Sequence, residues 1–108
     1  MFDSDFFSTF KKADATQLVF NLIQNEMDFQ DKKWGAQKHA DCTWLAILTE
    51  EVGEVAKECL ENGFDNKPKK DMLKELVQVA AVSVQWAIQL NKELEKCPTN
   101  PVNSKRHS

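Results

Sequence analysis

Apolar positions recur at helical spacing along most of the chain, with no sustained strand-like alternation. Leu18, Val19, Leu22, Ile23 and Met27 share one face over about Thr16 to Lys33, and Asp14 or Thr16 is placed to cap that helix. Gly35 breaks the pattern, and the segment from Trp34 to Asp41 is rich in polar groups. Asp41 or Thr43 can cap a second helix, which runs to about Glu61 and stops before Asn62-Gly63. Phe64 to Lys70 contains Pro68 and reads as a loop; a third helix then starts near Lys70 or Asp71 and runs to about Lys96, where Pro98 ends it. Phe2, Phe6, Phe7 and Phe10 fall on a further stripe that predicts a short N-terminal helix. The expected architecture is all-α. Three main helices over residues 14–97 form a bundle with the short helix of the Phe-bearing segment 1–13, completed by oligomerisation and followed by a loose tail 98–108.

Two features of this pattern are unusual. On the second helix Trp44, Leu45, Leu48, Val52, Val55, Ala56 and Cys59 fill an apolar arc with Ile47 at its margin, yet Glu51 interrupts that arc. Glu54 sits at its edge, and Glu50, Glu58 and Glu61 continue an acidic side. A carboxylate pointed into a core costs several kcal/mol (roughly the ion-burial penalty) unless a cation or donor meets it. On the third helix sixteen uncharged residues, LVQVAAVSVQWAIQLN, lie between Glu75 and Lys92. Apolar side chains cover most of that circumference and leave one polar arc of Glu75, Gln78, Gln85 and Gln89. A helix that is apolar on most sides is covered on most sides. In a chain of 108 residues a second copy is the expected cover.

Length and composition narrow the classes. One domain is expected, and 42% hydrophobic with 29% charged residues is an ordinary soluble balance. Only 3 Gly and 3 Pro argue against a turn-rich β architecture. A net charge of −3 gives no basic footprint for duplex nucleic acid or an anionic membrane, and no apolar run is long enough to span one. The opening MFDSDFF is acidic where a secretory signal would be basic. Cys42, Cys59 and Cys97 show no CxxC and read as buried or idle thiols in a reducing cytoplasm.

If the second and third helices pack antiparallel, Glu51 and Glu54 come opposite Glu75 and Gln78. Three carboxylates and an amide oxygen in one cleft suit Mg²⁺ or Mn²⁺. By spacing alone the same acids also read as a solvated helix face.

The motif Thr49-Glu50-Glu51-Val52-Gly53-Glu54-Val55 resembles the EExxE motif of the MazG-like, all-α nucleoside triphosphate pyrophosphohydrolases. Upstream, Trp34-Gly35-Ala36-Gln37-Lys38-His39 resembles the Trp…Gln-x-His segment of that family. Downstream, Glu75-Leu76-Val77-Gln78 occupies the place of its ExxD, with Gln78 where the family has Asp. The resemblance covers roughly residues 16 to 95. It implies a homodimer or homotetramer with a Mg²⁺ site (Mn²⁺ also serving) inside a four-helix arrangement, and hydrolysis of a nucleoside triphosphate to monophosphate and pyrophosphate in the cytoplasm. By residue-wise carry-over Glu51, Glu54, Glu75 and Gln78 would be metal ligands. Glu50 and Glu51 would serve the catalytic step, with Glu50 holding a further metal or orienting the attacking water. Trp34 could stack on a base whose edge Gln37 and His39 read; Lys57 could contact phosphates, and Gln85 could line the same pocket. The competing expectation is a non-catalytic helical module that keeps the fold for nucleotide binding or assembly.

Overall fold

The computed structural model describes the backbone of residues 4–96 and the side chains of residues 14–96. Three helices account for the described chain: α1 (Ser4–Trp34), α2 (Asp41–Asn62) and α3 (Lys70–Lys96). No strand occurs among the described residues. The expected N-terminal helix is not a separate element, because α1 is continuous from Ser4 to Trp34. No Gly or Pro lies in that stretch to interrupt it. The side chains of Phe2, Phe6, Phe7 and Phe10, and the whole tail with Cys97, Pro98 and His107, lie outside the described residues.

The helix ends follow local chemistry. At Gly35 the backbone turns left-handed (φ 77°) while its N–H still bonds Asp31 O at 2.8 Å, which closes α1. The N-cap of α2 is Ala40, with no side-chain cap. Asp41, expected as a cap, sits in the first turn and accepts a hydrogen bond from Trp86 Nε1 at 2.9 Å. Between α2 and α3, Lys69 Nζ donates to Asp65 Oδ1 at 2.6 Å and to the carbonyls of Asp65 and Lys67. That hydrogen bond, with a second from Lys67 N–H, holds the Asp65 carboxyl below the usual range.

α3 is the shared rod. It packs on both α1 and α2, which do not pack on each other. The fully buried residues among those described are Trp44, Val77, Ala81 and Val82. On α2 the inward stripe is Trp44, Ile47, Leu48, Glu51, Val55 and Glu58, the i, i+3, i+4 spacing of a packed face. Leu45, Val52, Ala56 and Cys59, expected within the apolar face, are exposed instead. The arc is wider than one contact with α3 can cover. The part containing Glu51 turns inward. Cys42 and Cys59 are free and exposed, so of the two expectations, buried or idle, burial does not hold for them. No described helix is long and apolar enough to cross a membrane.

Candidate functional site

The inward faces of all three helices carry an acid. On α1 the half-buried positions are Ile23, Glu26, Met27 and Gln30; on α2 Glu51 lies between Leu48 and Val55; on α3 Glu75 and Gln78 lie beside Val77. An amide's nitrogen and oxygen are assigned from its neighbours. With its nitrogen toward the acids, Gln78 donates to Glu75 Oε1 at 3.0 Å and to Glu51 Oε1 at 3.2 Å. One amide therefore bridges a carboxylate from α2 and one from α3.

The electrostatics match this convergence. Burial first, then the carboxylates of Glu75, Glu54, Glu26 and Glu50, push the Glu51 carboxyl above its ordinary range. Hydrogen bonding from Gln78 works against that rise, since a donor favours the ionised form. Glu54 and Glu50 are exposed on α2 and act on Glu51 through their charge. Glu26, on α1, is tied by Gln30 Nε2 at 2.7 Å. It was not anticipated from sequence. The signal was present, because Glu26 stands four residues after Leu22 and three after Ile23, the same intrusion into an apolar face that marked Glu51.

Whether a divalent ion fits depends on the donors. Among the described residues no three of His, Cys, Asp and Glu form a ready metal-holding group. The set that converges is two carboxylates and an amide. Its donor atoms are hard oxygens once the amide turns, and the 3.0 and 3.2 Å separations resemble the edge of an octahedron with bonds near 2.1 Å, which is about 3.0 Å. Mg²⁺ is commonly held by one or two carboxylates with substrate phosphates and water completing the shell. Two carboxylates and an amide oxygen are donor types that such an ion takes.

Two turns along α3, about 10 Å at 1.5 Å per residue, Gln85 lines a cleft of about 250 Å³. Met27 and Ile88 give it apolar walls, and Trp44, Gln37 and Gln89 also line it. Gln89 is the hub. Its oxygen accepts from Trp44 Nε1 at 2.8 Å and from the His39 N–H at 3.1 Å. Its nitrogen donates to the His39 carbonyl at 2.8 Å and to Glu93 Oε2 at 3.1 Å. The His39 ring meets Trp44 edge-on at 4.8 Å, and its Nε2 lies 2.9 Å from Gln37 Oε1. The amide of Gln89 thus fixes the segment between α1 and α2 onto α3.

The structure therefore brings Glu51, Glu75 and Gln78 together, and separately places Gln37 and Gln85 on one cleft; His39 does not line that cleft but an opening beside it, with Asp41 and Gln89. Trp34 stands apart, 66% exposed with Lys33 Nζ 5.0 Å over its ring; the tryptophan at the cleft is Trp44, only 2% exposed. Lys57 is exposed on α2 and lines neither the cleft nor the acid cluster. No protein-family model, curated protein or solved structure matches this chain.

Proposed function

We propose that this chain is a metal-dependent nucleoside triphosphate pyrophosphohydrolase of MazG-like type, working as a homodimer or homotetramer on a cytoplasmic nucleotide pool. The observation that carries the reading is the Glu51–Gln78–Glu75 bridge, two turns from a cleft walled by Trp44, Met27 and Ile88 and edged by amides. Its apolar walls suit the face of a base, and its rim carries charge as well as amides, from Asp31, Lys38, Lys92, Glu93 and Lys96. The distance of about 10 Å along α3 suits the span from a base to its phosphates.

In this reading Glu51, Glu75 and Gln78 hold Mg²⁺ or Mn²⁺, with Glu54 and Glu26 adding negative charge. The ion supplies charge compensation for the polyphosphate and acidifies the attacking water. Glu50, exposed next to Glu51, takes the role of orienting that water in this reading. Gln85 and Gln37 offer donors and acceptors to the base edge, and Gln89 keeps Gln37 and His39 in place. The chain's own contribution is positioning and electrostatics.

Assembly is supported by an inversion on α3. Its polar arc of Gln78, Gln85 and Gln89 is half-buried, while Leu73, Leu76, Val84 and Leu90 on the other side are exposed. A second copy covering that side restores the ordinary order of polar outside and apolar inside.

The deciding experiment is pyrophosphate release from a panel of nucleoside triphosphates with Mg²⁺ or Mn²⁺. Release that is lost in a folded Glu51→Gln variant supports the enzyme. No release across the panel overturns it and leaves the non-catalytic module, a reading favoured by Gln78 standing where the resembling family has Asp.

A further inference from the structure

The polar edge of the cleft beside Trp44 bears on which bases it takes, and this inference rests on the hydrolase reading above. The apolar walls accept the flat face of any base, so the choice among bases falls to the polar groups around them. Three of these are ammonium groups: Lys38 from the segment between α1 and α2, and Lys92 and Lys96 one turn apart on α3. Among the described residues none of the three enters an ion pair; the pair that forms is Lys69 with Asp65, before the start of α3. An ammonium can only donate. Gln37 points the same way, because its Oε1 is taken by His39 Nε2 at 2.9 Å and its NH₂ is left to donate. Of the two acids on the rim, Glu93 already accepts from Gln89 Nε2 at 3.1 Å, which leaves Asp31. Gln85 has no hydrogen-bond partner among the described residues, so its amide can turn either end to a ligand. Donors therefore outnumber free acceptors around the cleft.

We propose that the cleft selects bases presenting a carbonyl with its adjoining ring N–H over bases presenting an amino group in the same place. The substrate class is then the triphosphates of the keto bases: guanine, hypoxanthine, uracil and thymine. The carbonyl oxygen accepts from the rim ammoniums or from the Gln37 NH₂, and Gln85 turns its oxygen to the ring N–H. An amino group in the carbonyl's place sets N–H against N–H and leaves donors without an acceptor. A lysine donating to a base carbonyl is a favoured pairing, and a site that hydrogen-bonds its ligand discriminates more strongly than apolar walls do.

The test compares inosine with adenosine triphosphate and uridine with cytidine triphosphate, pairs that differ only at this edge. Sugar, phosphates and metal are the same within a pair, so the ratio of kcat/KM reads the base edge alone. With Mg²⁺ the keto member is expected to be favoured about tenfold or more in both pairs. In a folded triple variant, Lys38→Met with Lys92→Met and Lys96→Met, both ratios are expected to fall below about threefold. A ratio near one, or one favouring the amino member, in either pair overturns the inference and leaves the hydrolase reading standing. A keto preference that the triple variant keeps also overturns it. Should the triple variant fail to fold, the three single variants replace it, and unchanged ratios in all of them overturn the inference. The 5′-monophosphates of inosine and adenosine, titrated calorimetrically with a chelator present, read the cleft without turnover. No pyrophosphate release from any triphosphate overturns the hydrolase reading, and the monophosphates then decide the cleft: a clear preference for the inosine form supports it, and equal or absent binding overturns it.

Discussion

Glu51 and Gln89 show how much depends on single side chains. Glu51 is half-buried among Glu75, Glu54, Glu26 and Glu50, and burial and those charges, opposed by the Gln78 donor, make its folded form hold a proton to higher pH than the unfolded chain does. Between the ordinary glutamate value, about 4.3, and the raised one, the folded state binds more protons. Metal-free stability therefore falls as pH rises through that window, and the penalty is complete above it. Glu51→Gln removes the charge and keeps the shape. In thermal melts with a chelator it melts higher than the unaltered protein at neutral pH, and the difference closes below the ordinary value; a lower melting temperature at neutral pH would contradict the account. Gln89 is the opposite case, a satisfied amide whose loss leaves others unsatisfied. Gln89→Leu strips the acceptor from the buried Trp44 Nε1 and the His39 N–H, and the donor from the His39 carbonyl. An unsatisfied buried group costs about 1–3 kcal/mol. A loss of about 2 kcal/mol in urea unfolding, with a shifted Trp44 fluorescence, is the expected outcome.

At the scale of elements, each helix end is set by local chemistry and each helix face by its neighbours. The left-handed turn at Gly35 closes α1 and sends the chain back toward α3. Gly35→Ala forces a side chain into that conformation. Nothing lies within 4 Å of the added Cβ, so the cost is backbone strain alone. It is expected at about 1 kcal/mol in chemical denaturation, with helix content retained by circular dichroism. This local character is why the sequence was informative about boundaries. The second helix was expected to be capped by Asp41 or Thr43 and to end at about Glu61, and it runs Asp41–Asn62 with Ala40 as its cap; the third was expected from Lys70 or Asp71 to about Lys96 and runs Lys70–Lys96. Orientation was harder to read. The apolar arc of α2 spans too many positions to say which half meets α3, so Leu45 and Val52 were expected inside and lie outside. Glu51 was legible because a polar group on an apolar face must find a partner, and Glu75 and Gln78 because they belong to the one polar arc of a mostly apolar helix. Gln89 was visible only as a member of a polar arc. Its partners, Trp44 and the His39 backbone, are forty-five and fifty residues away, and no spacing rule connects them. Trp34, expected to stack on a base, is exposed, and the tryptophan that holds the buried place is Trp44.

At the scale of the whole molecule the described chain is short of cover. Only Trp44, Val77, Ala81 and Val82 are buried apolar residues, while Leu18, Phe20 and Phe29 on α1 and Leu73, Leu76 and Val84 on α3 are exposed. Burying a Leu or Val side chain is worth roughly 1.5–3 kcal/mol, so an assembly that covers even a few of these gains much of a small domain's net stability, about 5–15 kcal/mol. Scattered exposed apolar residues are normal, but on α3 exposed Leu73, Leu76, Val84 and Ala87 form one helical stripe with half-buried Ala80 among them. The stripe lies opposite Gln78, so a copy docking there leaves the acid cluster and the amide-lined cleft on the inward side. Leu76→Glu places a charge at the centre of the stripe, 49% exposed in the single chain and touching neither candidate site. Sedimentation equilibrium is expected to show the unaltered protein as a dimer or larger and Leu76→Glu shifted toward the monomer with a lower melting temperature. A residue that is merely on the surface predicts no change in mass and a stability change within about 0.5 kcal/mol. If the unaltered chain sediments as a monomer at every concentration, the stripe has no partner copy and the assembly proposed here fails.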